Sequence, residues 1–213
     1  MTNRYTLSDI LEKHLPRGAR LLDFGCANGH LFNQFSALGI KEIYGVDTDP
    51  QFKAENITIT SDSIAYLSEH KEYFDVIFSR QVLYYFERHE QDELFKSLYE
   101  ALKPEGMLLV VVYNGAVFTS HWIFQKDIRQ KMIFNEVSLQ KLAKDNNFID
   151  NLILGVKPIA RTKYGTIILS LFQSIVQVKY TILYFLERGK DPFRPRHFTP
   201  DIALIAKKGT KKH

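Results

Sequence analysis

Between residues 19 and 113, short and almost wholly apolar runs alternate with stretches of helical periodicity, and this alternation leaves few architectures open. A strand that is apolar along its whole length is buried on both faces, as in a parallel sheet covered by helices on each side. The runs are Ala19 to Phe24, Glu42 to Asp47, a weaker Ile57 to Thr60, Asp75 to Ser79 and, strongest of all, Met107 to Tyr113 (MLLVVVY). Between them Leu31, Phe32, Phe35 and Leu38 recur at helical spacing up to Gly39, and Gln91 to Leu102 does the same before Pro104. The expected class is an open α/β sheet.

The flanks extend this frame. Thr6-Leu7-Ser8-Asp9 has capping-box spacing and opens a short helix to about His14, so residues 1–18 form an N-terminal helical segment. After Tyr113 the rhythm changes. Helical stretches at about Val117 to Met132 and Ser138 to Asp145 precede a strand at Phe148 to Val156, and Asp201 to Lys207 closes the chain as a last strand. Between those two strands lies the most apolar stretch, Thr166 to Leu186. Ser170, Gln173, Ser174, Gln177 and Thr181 recur there at three- and four-residue steps, with Ile168, Leu171, Phe172, Ile175, Ile182 and Leu186 on the other side. That pattern predicts an amphipathic helix, not a membrane span. At 213 residues the chain has the size of one domain, 1–213, divided into 1–18, a half at 19–113, and a second half at 114–213 with a helical insertion at 160–198.

Charge narrows the function. The net charge of +4 is accounted for by Lys207, Lys208, Lys211 and Lys212, which leaves the body balanced and without a basic stripe, so no nucleic-acid partner is expected. Those lysines read as a solvated tail. One cysteine, Cys26, allows no internal disulfide, and the N-terminus lacks an apolar signal run, so the expected location is cytoplasmic. The seven histidines include no His-x-x-His pair and there is no cysteine cluster, so no metal site is expected.

In open α/β sheets ligands bind beyond the carboxyl ends of the strands, at the switch in strand order, which directs attention to the turn Leu22-Asp23-Phe24-Gly25-Cys26-Ala27-Asn28-Gly29. Gly25 and Gly29 allow close ligand approach, but Ala27 and His30 stand where a dinucleotide fingerprint needs glycine. A carboxylate at Asp23 suits a ligand bearing ammonium or sulfonium better than a pyrophosphate. Asp47, closing the second strand, can accept from both hydroxyls of a ribose. Asp62 in Thr60-Ser61-Asp62-Ser63 has two readings, acceptor of an adenine amino group or N-cap of the following helix.

The glycine turn, the acidic end of strand two, the Asp62 turn, Tyr73-Phe74-Asp75-Val76-Ile77-Phe78-Ser79-Arg80-Gln81-Val82-Leu83 and Leu98-Tyr99-Glu100-Ala101-Leu102-Lys103-Pro104-Glu105-Gly106 stand in the order and spacing of a known family. The chain resembles the class I S-adenosylmethionine-dependent methyltransferases over about Arg20 to Tyr113. The resemblance implies a Rossmann-like, mostly parallel seven-stranded sheet with an antiparallel last strand, and S-adenosylmethionine as cofactor. It implies that Asp23 and Gly25, Cys26, Ala27, Asn28 and Gly29 hold the methionine part, Asp47 with its neighbour Thr48 the ribose side, Asp62 and Ser63 the adenine, and Ser79 and Arg80 the edge nearest the methyl group. The chain departs from the family pattern at Ala27 and Glu105, which replace glycines, at Tyr84-Tyr85, where many relatives have Glu-His, and in the long connection between the last two strands.

The acceptor side is less legible. Gln81, Tyr84, Tyr113, His121 and Trp122 are the candidates by location, and no catalytic acid or base stands out. The Asn/Asp-Pro-Pro-Tyr loop of enzymes that methylate amide or exocyclic base nitrogens is absent, which favours a small-molecule, sugar or lipid-like acceptor. A cofactor-binding scaffold without turnover and an NAD(P)-dependent oxidoreductase are the alternatives. For Val117 to Met132 and Gly165 to Leu186 three readings stand open: a lid over the acceptor, packing as core or as a homodimer contact, and docking of helix 166–186 on a membrane surface, helped by Arg188, Lys190, Arg194 and Arg196.

Overall fold

The computed structural model describes residues 4–52, 56–158, 163–192 and 194–210. In chain order the elements are β1 (Arg4–Tyr5), α1 (Leu7–His14), β2 (Arg20–Phe24), α2 (Phe32–Ala37), β3 (Glu42–Asp47), β4 (Ile57–Ile59), α3 (Ser63–Glu69) and β5 (Phe74–Arg80). There follow α4 (Arg88–Ala101), β6 (Leu102–Tyr113), α5 (Phe118–Lys126), α6 (Glu136–Asp145), β7 (Phe148–Val156), α7 (Lys163–Arg188) and β8 (Asp201–Lys208). They build one sheet in the order β1-β7-β8-β6-β5-β2-β3-β4, in which β8 runs antiparallel to both neighbours and the other pairs are parallel.

Seven strands match the expectation, and β1 is an addition. Two residues carry no periodicity, so only the pairing of Arg4 with Gly155 and Tyr5 with Val156 reveals it. The MLLVVVY run is explained by its two faces. Leu108, Val110 and Val112 point into one buried cluster and Met107, Leu109 and Val111 into the other, so alternation leaves no position for a polar side chain. The first cluster continues into Leu67, Leu94, Phe95, Leu98 and Leu139 of α3, α4 and α6; the second takes in Ile10, Leu11 and Phe35 of α1 and α2. The α1 capping box forms as its spacing implies, with Thr6 Oγ1 accepting from the Asp9 amide and Asp9 Oδ2 from the Thr6 amide.

Three expectations are corrected. The helix read from Val117 to Met132 is α5 alone and stops at Lys126. Beyond it Asp127 accepts from the amide and guanidinium of Arg129, the Lys131 amide donates to the Tyr84 carbonyl (2.6 Å), and Phe134 bridges to Asn114, so the chain is drawn back to the sheet. Lys208 is no solvated tail: it is 5% exposed and its Nζ donates to the carbonyl of Leu102 at 2.6 Å, where its charge meets the negative end of the α4 dipole. Lys211 and Lys212 lie outside the described residues. Finally, no described side chain of α7 belongs to either core cluster. Its apolar stripe faces outward, with Ile175 65% and Leu186 74% exposed, which removes packing of that stripe into the core as a reading.

Candidate active site

The chain runs from β2 outward through β3 to β4 and then returns to β5 on the other side of β2. The switch in strand order therefore lies between β2 and β5, and a crevice opens beyond their carboxyl ends. The glycine turn leaves β2 here. Gly25 has φ +78°, and a Cβ on it would stand 2.1 Å from Val82 Cγ2, so both the backbone and the β5 exit require glycine. The Gly25 amide donates to the Val46 carbonyl (2.8 Å), which ties the turn to β3. Ala27 has φ +49°, a left-handed conformation in which an alanine is strained.

Asp47 is the hub of this end of the sheet. Its Oδ2 accepts from the Ala27 amide (2.8 Å), its Oδ1 from the Asp49 amide (3.0 Å), and its carbonyl from the Thr60 amide (3.0 Å). The glycine turn, the β3 exit and the loop before α3 are thereby held together. Asp62 uses Oδ1 to accept from the Ala65 amide (2.8 Å), so the N-cap reading is realised, and its exposed side chain keeps Oδ2 for a second partner. Thr48 and Asn28 are exposed on this side, whereas Ser63 is buried.

Beneath the turn the charges are unusual. Asp23 is 4% exposed, and burial, reinforced by the nearby Asp47 carboxylate and opposed by Arg80, pushes it up to about 7. Burial and the same two carboxylates push the Cys26 thiol up to about 12, which leaves it inert as a nucleophile. No ion pair to Asp23 or Asp47 forms among the described residues. Ser79, at the end of β5, is fully buried, and its Oγ has no hydrogen-bond partner. Two carboxylates and an orphaned hydroxyl around an open backbone turn fit a polar cationic ligand such as S-adenosylmethionine.

The acceptor side gathers three of the five candidates. Gln81 has φ +61° and donates from Nε2 to Asp201 Oδ1 (3.3 Å), while its Oε1 is buried without a partner. Tyr84 is buried and stacks on Tyr113 at 5.3 Å with an interplanar angle of 7°. Burial, then the neighbouring phenols Tyr113 and Tyr85, raises its pKa, so it is a packing surface and a neutral donor, not a base. His121 and Trp122 stand apart on α5: the His121 ring contacts the Gly115 carbonyl through Nε2 (2.9 Å) and Trp122 is 71% exposed.

Asp201 escaped the sequence reading. It opens β8 opposite Tyr113, is largely shielded, and burial pushes it up to about 6 against the favourable effect of Gln81 and Arg80. Arg80, exposed on the rim, thus influences two shielded carboxylates, Asp23 and Asp201. The one sequence signal for Asp201 was an acid at the head of an apolar strand, and only the register of β8 on β6 brings it beside Gln81.

Comparison with known proteins places the fold. The methyltransferase domain family matches residues 2–150. A stretch of the chain is 31% identical over 119 residues to the tRNA U34 carboxymethyltransferase of Azotobacter vinelandii, covering 48% of the chain and 36% of that protein. A shorter stretch is 54% identical over 41 residues to the ribosomal protein L11 methyltransferase of Bordetella parapertussis, covering 19% of the chain and 13% of that protein. The chain thus spans well under two thirds of the length of these curated relatives. In fold it is similar to a SAM-dependent methyltransferase from Archaeoglobus fulgidus, with a TM-score of 0.69 at 20% identity over 95% of this chain and 93% of that one. It is also similar to phosphoethanolamine N-methyltransferase 2 of Haemonchus contortus in complex with S-adenosyl-L-methionine, with a TM-score of 0.60 at 21% identity over 95% and 52% of the two chains. With the family matched over most of the chain, the oxidoreductase alternative falls away, and the chain belongs to the methyltransferase domain family, the class I S-adenosylmethionine-dependent methyltransferases.

Proposed function

We propose that the protein transfers a methyl group from S-adenosylmethionine to a small-molecule or lipid-like acceptor at the crevice between β2 and β5. The observation that carries this reading is the pair Asp23, buried, and Asp47, half-buried, acids without an ion-pair partner among the described residues, beside the glycine turn that leaves β2. In this reading Asp23 and the Gly25–Gly29 turn receive the methionine end, where a carboxylate favours cationic groups. Asp47 receives the ribose hydroxyls with the lone pairs left by its two backbone bonds, with Thr48 beside it. Asp62 and Ser63 border the adenine, and Ser79 and Arg80 the methyl-bearing edge. Residues 19–113 then form the cofactor half and 114–213 the acceptor half.

When bound, the cofactor supplies an electrophilic methyl on a sulfonium. The chain's work is to align the acceptor and exclude water, for which positioning alone contributes on the order of 7–11 kcal/mol. Tyr84 and Tyr113 offer a flat stacked wall, and Gln81 and Asp201 offer a donor and an acceptor to the incoming nucleophile. An acceptor that gives up a proton on methylation would pass it to the Asp201 carboxylate, beside Gln81 at the head of β8. A pKa near 6 leaves Asp201 ionised and able to act as general base at neutral pH. The single unpaired Cys26 suits a reducing, cytoplasmic setting.

Thermal shift tests the first step: S-adenosylhomocysteine should stabilise the chain and NAD(H) should not. Mass spectrometry of ligands retained through purification then names the acceptor. Tight cofactor binding with no labelled product from radiolabelled cofactor in cell extract would reject the enzymatic reading in favour of a scaffold.

A further inference from the structure

We infer that α7 docks the protein on an anionic lipid bilayer surface with the catalytic edge toward the lipid. The inference rests on the proposed lipid-like acceptor. One side of α7 meets the segment that leads from it back to β8: Gln177 Nε2 donates to the Arg196 carbonyl (3.2 Å), Tyr180 stacks on Phe198 at 5.4 Å, and Tyr184 donates to Asp191 (2.6 Å). The opposite side carries Leu171, Phe172, Ile175, Val178, Ile182 and Leu186, each more than half exposed. A soluble surface rarely leaves so long an apolar stripe uncovered.

Topology gives the stripe its place. The chain leaves β7 at Val156 and returns at Asp201, which is paired with both Val156 and Tyr113, so the insertion starts and ends on the edge of the sheet that holds Gln81 and Asp201. The segment that brings it back is also clasped by α5, where Ser120 Oγ donates to the Pro200 carbonyl (3.2 Å). The same helix exposes Phe118 and Trp122, at 72% and 71%, with Ile128 at 93% just beyond it.

Charge selects the occupant. Residues 163–196 hold six basic residues, Lys163, Lys179, Arg188, Lys190, Arg194 and Arg196, against two acids, Glu187 and Asp191. Lys179 lies within the apolar arc and lines a shallow hollow of about 610 Å³ with Ile175, Val178, Ile182 and Leu186. On a bilayer its ammonium can reach up to lipid phosphates along its own stem, whereas helix-to-helix pairing would strip it of water. A dimer through α7 is also too small. A helix of 26 residues is about 39 Å long, and a stripe about 10 Å wide covers about 400 Å² per copy, half of the roughly 800 Å² that a stable interface buries on each partner. No helix among the described residues is long and apolar enough to cross a membrane, so α7 lies in the surface.

Flotation of the full chain with phosphatidylcholine vesicles, with and without phosphatidylglycerol, tests this. Binding is expected only to the anionic vesicles and should weaken with salt. Arg188→Ser, Lys190→Ser and Arg194→Ser together should reduce partitioning on the order of a hundredfold, since each basic residue near such a surface is worth about fivefold. Leu171→Asp with Ile175→Asp should abolish it. Stabilisation by S-adenosylhomocysteine should persist in both variants, which shows them folded and separates this inference from the proposed function. Absence of flotation at low salt, flotation of both variants like the wild type, or a dimer through α7 that ignores vesicles would each overturn it.

Discussion

Replacing Asp23 by Asn keeps the shape of the buried side chain and removes its charge. In the folded chain the carboxyl is pushed up to about 7, chiefly by burial and then by Asp47, whereas in the unfolded chain it titrates near the ordinary 3.8. Across the window from about pH 4 to 7 the folded state therefore retains a proton that the unfolded state has released, so stability falls as pH rises and levels off above about 7. A difference of about three units at about 1.36 kcal/mol each amounts to about 4 kcal/mol of destabilisation at pH 8. Asp23→Asn should match the wild type near pH 4 and exceed it by about 4 kcal/mol at pH 8, or about 8–16 °C in Tm for a chain of this size. The same variant should lose S-adenosylmethionine binding, because the charge that repels Asp47 is the one that holds the cation. In the wild type, affinity should rise about tenfold per pH unit up to about pH 7, as binding draws on the ionised carboxyl. Unfolding curves at both pH values and titration calorimetry measure these effects. A pH-independent gap in stability, or undiminished cofactor affinity in Asp23→Asn, would refute the argument.

Other perturbations probe the neighbouring geometry. Gly25→Ala should destabilise by about 3 kcal/mol by urea unfolding, and Val82→Ala in the same chain should recover the steric part but not the roughly 1–2 kcal/mol due to positive φ. Ala27→Gly should do the reverse, raising stability by about 0.5–1 kcal/mol by releasing a left-handed alanine, with cofactor binding retained. Asp47→Ala frees two backbone amides and should cost about 2 kcal/mol together with detectable S-adenosylhomocysteine binding. If Asp201 takes the acceptor's proton, kcat/KM should fall below about pH 6 in the wild type, and Asp201→Asn should be slow with that acidic limb gone; an unchanged profile removes Asp201 from the reaction.

Much of this protein was legible in one dimension because its signals are local. The apolar runs, the glycine turn and the Thr6 capping box act within a few residues of themselves, and the strands from β2 to β8 lie where their periodicity predicts, except that β6 begins at Leu102 and not at Met107. Asp23, Asp47 and the Gly25 turn could be singled out because their chemistry is tied to positions next to strand ends. What depends on register and on distant partners was not legible. Asp201 becomes a site residue only through pairing with Tyr113 across 88 positions of chain, Lys208 becomes a helix cap only by reaching Leu102, and the end of α5 is set by the Lys131 amide finding the Tyr84 carbonyl. The amphipathic pattern of α7 was evident from its residues, but periodicity defines two faces without saying which is turned inward. Only the contacts of Gln177, Tyr180 and Tyr184 with the returning segment, and the exposure of Ile175 and Leu186, decide which side is held and which faces out.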